Sequence, residues 1–148
     1  MHWTQYISAV GIPVIAVTAA WIAFRQSQTA RDKLKFDLFE KRMEVYVAVR
    51  KALTQISQQG NLTLEQQVQY IQGTRSARWL FGPEVFNYLD TTLWHKIVDL
   101  ELHNTMSKDS ETPERSKHIQ ERAETMKWMI RQNKEFDALV ENYLTLKH

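Results

Sequence analysis

The chain has 148 residues, enough for one small globular domain, and it contains no cysteine, which excludes a disulfide framework, a zinc–thiolate site and a thiol nucleophile. Its formal net charge of +2 is unevenly distributed: residues 1–24 contain no Lys, Arg, Asp or Glu, residues 25–51 carry a net +4, and the remaining residues carry a net −2. The basic character is therefore local, and it lies beside an uncharged N-terminal segment.

The uncharged segment includes an apolar run of nineteen residues from Tyr6 to Phe24. A helix rises about 1.5 Å per residue, so such a run covers roughly the 30 Å hydrocarbon core of a bilayer. Tyr6 and Trp21 lie near its two ends, where aromatic rings prefer the headgroup level. The sequence predicts a transmembrane helix over residues 6–24. The alternative, a cleaved signal peptide, would begin with a positive charge and contain a shorter apolar core.

Lys and Arg side chains follow this segment, and none precedes it. Positive residues collect on the cytoplasmic side of short flanks, so the pattern predicts that residues 1–5 lie outside and residues 25–148 form a cytoplasmic domain. Four basic residues are candidates for contact with anionic lipid headgroups, or serve only to set the orientation: Arg25, Arg31, Lys33 and Lys35. Nucleic acid is not an expected partner, because acidic residues alternate with these charges and the bilayer lies close by.

The predicted membrane helix also carries small residues at a spacing of four, in the pairs Ala16/Ala20 and Ala19/Ala23. Such small-xxx-small pairs let a second membrane helix approach closely. The alternative is that these alanines only reflect the composition of membrane helices.

The rest of the chain predicts an all-α fold of four helices, at about residues 25–57, 63–81, 83–105 and 113–146. No Pro or Gly occurs from Arg25 to Ser57, so the membrane helix is expected to continue into the first of them. Short turns between the helices favour an antiparallel four-helix bundle. The first helix has one apolar face, which we expect to be buried: Leu34, Leu38, Phe39, Val45, Tyr46, Val49, Ala52, Leu53 and Ile56.

The second helix has a start signal and an apolar face of its own. Thr63 followed by Gln66 predicts a capping box, and Gly73 indicates either a kink or a close approach to the first helix. Helical spacing predicts that three apolar residues point inward: Leu64, Val68 and Ile71.

The last two helices begin with proline signals, at Gly82-Pro83 and at Thr112-Pro113. On the third helix the expected inward residues are Phe86, Leu89, Leu93, Ile97 and Leu100. The fourth has a heptad-like pattern formed by Ile119, Met126, Met129, Asn133, Phe136, Val140 and Tyr143.

Two polar residues fall on these apolar faces. Arg42 either buries only its aliphatic stem or forms half of a buried ion pair. Asn133 either sets the register of a buried interface or lies at its rim.

His95, Asp99 and His103 are spaced by four and share one face of the third helix, as in a two-histidine, one-carboxylate metal site. The alternative is an ordinary exposed polar face. No nucleophile elbow, phosphate loop or inward carboxylate pair is present, so we expect no enzymatic activity, no cofactor and no small-molecule substrate.

Two segments carry a resemblance to known proteins: RDKLKFDLFEKRMEVYVAV from Arg31 to Val49 and RSARWLFGPEVFNYLD from Arg75 to Asp90. They resemble a group of small bacterial proteins of unknown activity, in which a membrane helix is followed by a Lys-Leu-x-x-Asp-Leu-Phe segment and a later Leu-Phe-Gly-x-Glu segment. The resemblance implies a protein of the bacterial inner membrane with a helical cytoplasmic domain. It implies no activity and no site residue.

Three tryptophans outside the apolar segment, Trp79, Trp94 and Trp128, exceed what a small bundle needs in its core. Exposed apolar patches usually mark a partner surface. The sequence therefore favours a membrane-anchored interaction or assembly module that forms homo-oligomers or binds an unidentified protein. The alternative is a membrane effector or regulated pore that assembles through its transmembrane helix.

Overall fold

The computed structural model describes residues 3–108 and 114–145, with side chains from Ile15 onward. Several features of the sequence lie outside these residues: the side chains of Trp3, Tyr6 and Pro13, and the start signal at Thr112-Pro113. The described residues are all-α, in four helical segments, with no strand. No helix, over its described residues, contains an apolar stretch long enough to cross a bilayer.

The first segment is α1, Trp3–Gln59, and the second consists of α2, Leu64–Thr74, and the short α3, Ala77–Leu80. The third begins with α4, Pro83–Asn87, passes through a π-helix at Tyr88–Leu93 and ends with α5, Trp94–Lys108. The fourth is α6, Arg115–Val140, followed by a 3₁₀ turn at Glu141–Tyr143. The contacts within the chain define two units, Met1–Asp37 and Leu38–His148.

In the first unit, every side chain described, from Ile15 to Asp37, is exposed. Leu34, which the periodicity predicts to be buried, is 70% exposed, because the first unit holds no other described helix to cover it. Leu38 is also exposed. The prediction of an inward face is therefore wrong for these two leucines.

The core of the second unit is built from the later part of α1 together with the other helical segments. On α1 the predicted inward face is confirmed for Val45, Val49, Ala52, Leu53 and Ile56. Along the third segment the buried residues are Val85, Leu89, Leu93, Ile97 and Leu100. Phe86 is only half-buried, because Val85 takes the inward position in α4.

Side-chain contacts set the direction of α6 against its neighbours. On α1, Tyr46 donates a hydrogen bond to Asp137 (3.0 Å), and Arg50 donates one to Asn133 (2.8 Å). Because residues further along α1 meet residues earlier on α6, the two helices run in opposite directions. Asn133 is half-buried and bonded by Arg50, which places it at the rim.

The buried face of α6 differs from the predicted heptad because it includes the polar residues Thr125 and Gln132. It contains Thr125, Met129, Gln132, Phe136 and Val140, whereas Ile119 is exposed. Gln132 is fully buried because its amide is satisfied: Tyr88 donates to its Oε1 (2.7 Å), and its Nε2 donates to Glu135 (2.7 Å).

Arg42 takes neither of the two expected roles. Its guanidinium donates to the main-chain oxygens of Leu80 (2.7 Å) and Tyr143 (3.0 Å), and it lies over the rings of Phe81 and Tyr143. The two carbonyls stand at the ends of α3 and of the 3₁₀ turn, where cationic donors are favourable. Arg42 therefore joins two chain segments by backbone contacts rather than by an ion pair.

Candidate functional site

The apolar face of α2 is turned away from the core. Leu64 is 78% exposed, Val68 44% and Ile71 47%, so the inward orientation predicted for them is wrong. Their spacing of four and three places them in one line along the helix, which we call the α2 stripe. A second exposed apolar line lies on α5, but none of its residues is more than 49% exposed: Val98, Leu102 and Met106. Because Leu64 is far more exposed than any of these, the α2 stripe is the stronger candidate for a partner surface in the described part of the chain.

Tyr70 occupies the inward face of α2 instead. It is buried, donates a hydrogen bond from its hydroxyl to the Leu89 carbonyl oxygen (2.9 Å), and stacks on the ring of Trp94 at 5.9 Å. Burial raises the pKa of Tyr70 well above its ordinary value. The Tyr70 ring, whose hydroxyl is hydrogen-bonded, buries more apolar surface than Val68 would. This favours the orientation of α2 in which Tyr70 faces the core.

Gly73 allows the same face to lie close to α1. A Cβ atom at this position would stand 2.5 Å from the Cβ of Ala48. The prediction that Gly73 marks a close approach to the first helix is confirmed. The predicted capping box is also present, with Thr63 Oγ1 accepting from the Gln66 amide (3.3 Å) and Gln66 Oε1 accepting from the Thr63 amide (2.9 Å).

The stripe continues into an open groove of about 570 Å³ between α2, α3 and the third helical segment. Ile71 belongs to the stripe and also lines the groove, as does Trp79, which is 80% exposed. The Arg78 guanidinium lies 5.4 Å from the centre of the Trp79 ring. The groove lining therefore contains exposed apolar side chains and a cation, whereas the stripe itself contains no charged residue.

Of the three tryptophans singled out in the sequence, only Trp79 is exposed. Trp94 and Trp128 are half-buried and pack against the core. The predicted apolar patch thus has one tryptophan, and the α2 stripe supplies the residues that the sequence pattern assigned to the core.

The three residues of the predicted metal site lie on α5 and have different surroundings. His95 is exposed, and Asp99 is paired with Lys96 at 4.0 Å. His103 faces α6, where its Nδ1 lies 3.1 Å from Nδ1 of His118 and 3.3 Å from Oε2 of Glu121. His103, His118 and Glu121, which we call the histidine cluster, bring their ligand atoms within 4.8 Å of one another.

His118 and Glu121 are spaced by three on α6 and thus share one helix face. The sequence pattern did not single them out, because which face of α6 meets α5 depends on how the two helices pair. A histidine three residues before a glutamate is the only local signal that could have marked them.

The residues predicted to meet the membrane all lie on α1. Arg25 places its guanidinium 5.1 Å from the centre of the Trp21 ring. Arg31, Lys33 and Lys35 are exposed, and so are Ala16, Ala19, Ala20 and Ala23.

Comparisons with protein-family models, with curated proteins and with solved structures found no match to this chain.

Proposed function

We propose that this protein is a membrane-anchored helical module, without enzymatic activity, that assembles with a second copy of itself through the α2 stripe. The single observation that carries the proposal is the exposure of Leu64, Val68 and Ile71 on a helix whose opposite face is packed. Leaving three aligned apolar side chains in water is unfavourable by roughly 25 cal/mol per Å² of apolar area, and a partner would remove that area from water.

A second copy fits the stripe because the stripe is self-complementary. If two α2 helices meet antiparallel about a two-fold axis near Val68, Leu64 of each copy packs against Ile71 of the other and Val68 packs against its own counterpart. Gln72, four positions beyond Val68, is exposed beside the stripe, and its amide can donate or accept hydrogen bonds in either orientation. No pair of like charges faces across such an axis.

A lipid surface fits the stripe less well. Helices that lie in the membrane interface carry Lys or Arg on the polar face, whereas α2 contains Glu65 and no basic residue. Its eleven residues also offer only three apolar anchors. The composition of α2 therefore favours a protein partner over lipid.

The anchor in this proposal is the apolar segment Tyr6–Phe24, in the bacterial inner membrane with the N-terminus outside and the helical domain in the cytoplasm. Two observations support it: the segment has no charged side chain, and its described residues from Ile15 to Phe24 are exposed. Arg25, Arg31, Lys33 and Lys35 would then lie at the cytoplasmic headgroups.

The test uses single cysteines, which are specific here because the chain has none. The full-length variants Val68→Cys and Val47→Cys are compared in isolated membranes after oxidation. Val47 is the matched control, since it is 55% exposed against 44% for Val68 but lies on α1, outside both exposed apolar lines. We expect a covalent dimer from Val68→Cys only. Equal dimer from both variants, or none from Val68→Cys, contradicts the proposal.

A pair of variants tests the antiparallel geometry. Leu64→Cys and Ile71→Cys chains, expressed together, should form a mixed disulfide more readily than either chain forms a disulfide with itself. A parallel arrangement would reverse this order. A crosslinked product of a mass other than that of a dimer would show that the stripe binds a different protein.

A further inference from the structure

We propose that His103, His118 and Glu121 bind a divalent transition-metal ion, for which Zn²⁺ is the model ligand, and that the ion ties α5 to α6. The site is independent of the α2 stripe and of self-assembly. It uses one histidine from α5 and a histidine and a carboxylate from α6. Two imidazoles and a carboxylate are ligands that zinc accepts.

The distances within the histidine cluster match a single ion. Nδ1 of His103 and Nδ1 of His118 are 3.1 Å apart, and Oε2 of Glu121 lies 3.3 Å from the first and 3.7 Å from the second. Three atoms at these separations lie on a circle of radius about 2.0 Å, so an ion near its centre reaches all three at Zn–N and Zn–O bond lengths of about 2.0–2.2 Å.

All three atoms can also serve as acceptors, since either ring nitrogen of a neutral imidazole can carry the proton. A neutral imidazole has one donor and one acceptor nitrogen, so two Nδ1 atoms 3.1 Å apart need a proton between them, or else their lone pairs repel. The nearby Glu121 carboxylate is an acceptor as well. A cation near the centre of the three ligand atoms interacts favourably with all three acceptors at once. A single proton can form a hydrogen bond between only two of them at a time.

The surroundings leave one side of the cluster open. The side chains of His103 and His118 are only 17% and 18% exposed, which limits their alternative orientations. His103 and Glu121 also line a pocket of about 400 Å³, whose other charged lining residues are Lys96, Asp99, Glu124 and Arg131. With three protein ligands beside this pocket, a water molecule can complete a tetrahedral site.

Bridging two helices gives the ion a structural effect. Ligands from both α5 and α6 meet only when the two helices are paired, so the ion binds the folded chain in preference to the unfolded one. Zinc is therefore expected to raise the melting temperature of the protein, and to do so only while both helices keep their ligands.

The test is zinc titration of the purified full-length protein in mild detergent, without a histidine tag and after treatment with a chelator. We expect one Zn²⁺ per chain by calorimetry and a melting temperature several degrees higher with saturating zinc. His118→Gln and Glu121→Gln should each weaken zinc binding at least tenfold. His95→Gln is the matched control, because His95 lies on the same helix as His103 but outside the cluster, and it should change binding less than twofold.

Absence of zinc binding overturns the proposal, as does binding that His118→Gln and Glu121→Gln leave unchanged. If His95→Gln abolishes zinc binding, the ion binds elsewhere and the proposal is likewise overturned. Helical content and melting temperature without zinc are measured for every variant. Because His118→Gln and Glu121→Gln change different groups, a folding defect in one leaves the other to decide the result.

Discussion

Two helical segments of this protein carry apolar lines of similar spacing, and the structure uses them in opposite ways. Leu89, Leu93 and Ile97 on the third segment are buried in the core. Leu64, Val68 and Ile71 on α2 are exposed. A periodic apolar face thus does not by itself indicate which face of a helix is packed within the chain.

The difference arises on the other side of α2. There Tyr70 fills the space beside Trp94, and Gly73 meets Ala48 at a distance that no larger residue allows. One large aromatic residue and one glycine outweigh three aliphatic residues in choosing which side of α2 is packed.

The largest expected difference in the free energy of unfolding is between two truncations, one in the buried apolar line of the third segment and one in the exposed α2 stripe. Leu93→Ala should lower the free energy of unfolding by about 2–5 kcal/mol, because Leu93 is fully buried and a cavity remains. Val68→Ala should change it by no more than about 0.5 kcal/mol in the monomer. Denaturant titration of the full-length protein at low concentration measures both. A loss of similar size for Val68→Ala would show that the monomer already buries the stripe.

The glycine contact can be tested next. Gly73→Ala should destabilise the protein by about 1–3 kcal/mol, since the new methyl group would overlap the Cβ of Ala48. Adding Ala48→Gly removes that overlap, so the double variant should be more stable than the sum of the two single changes predicts. Thermal unfolding of the four proteins gives the coupling. Simple additivity would mean that the two helices do not touch there.

The smallest expected effect concerns the tyrosine hydroxyl. Tyr70→Phe should cost about 0.5–1.5 kcal/mol at neutral pH, because the Leu89 carbonyl loses its hydroxyl donor. It should also change the response to alkali. Burial raises the pKa of Tyr70, and of Tyr88, above the ordinary value of 10.0, so the unfolded chain loses these protons first and stability falls as the pH rises beyond 10.

Tyr70→Phe removes one of the phenols whose pKa is raised by burial, so the stability of the variant should fall less steeply than that of the wild type above pH 10. Every other titratable group is the same in both proteins, so the difference between the two curves isolates Tyr70. Denaturant titrations at several pH values supply both curves. Parallel curves would contradict the burial of this hydroxyl.

Sequence reasoning succeeded where the signal is local. The all-α class follows from helical periodicity, and the Thr63 capping box depends on residues within one turn. These two features can be predicted without knowing which helix lies next to which. Gly73 allowed either a kink or a close approach, and only its contact with Ala48 decides between them.

The rest depends on neighbours distant in sequence. The pattern could not show that Tyr70 outweighs the stripe, because its hydroxyl acceptor is the carbonyl of Leu89. Gln132 can be buried only because Tyr88 and Glu135 satisfy it, and His103 meets His118 only because α5 and α6 pair in one register. Which residues form the candidate surfaces of this protein thus depends on its tertiary structure.

The π-helix at Tyr88–Leu93 has a consequence for comparing this chain with others. Buried residues around it, Val85, Leu89, Leu93 and Ile97, recur every four positions, a spacing that would drift around a regular α-helix. The wider i→i+5 turn absorbs the surplus, so the segment accommodates one additional residue without breaking. A related chain that lacks this residue would keep the same inward face with a regular helix. An alignment should accordingly open its gap inside this helix rather than in the nearest loop.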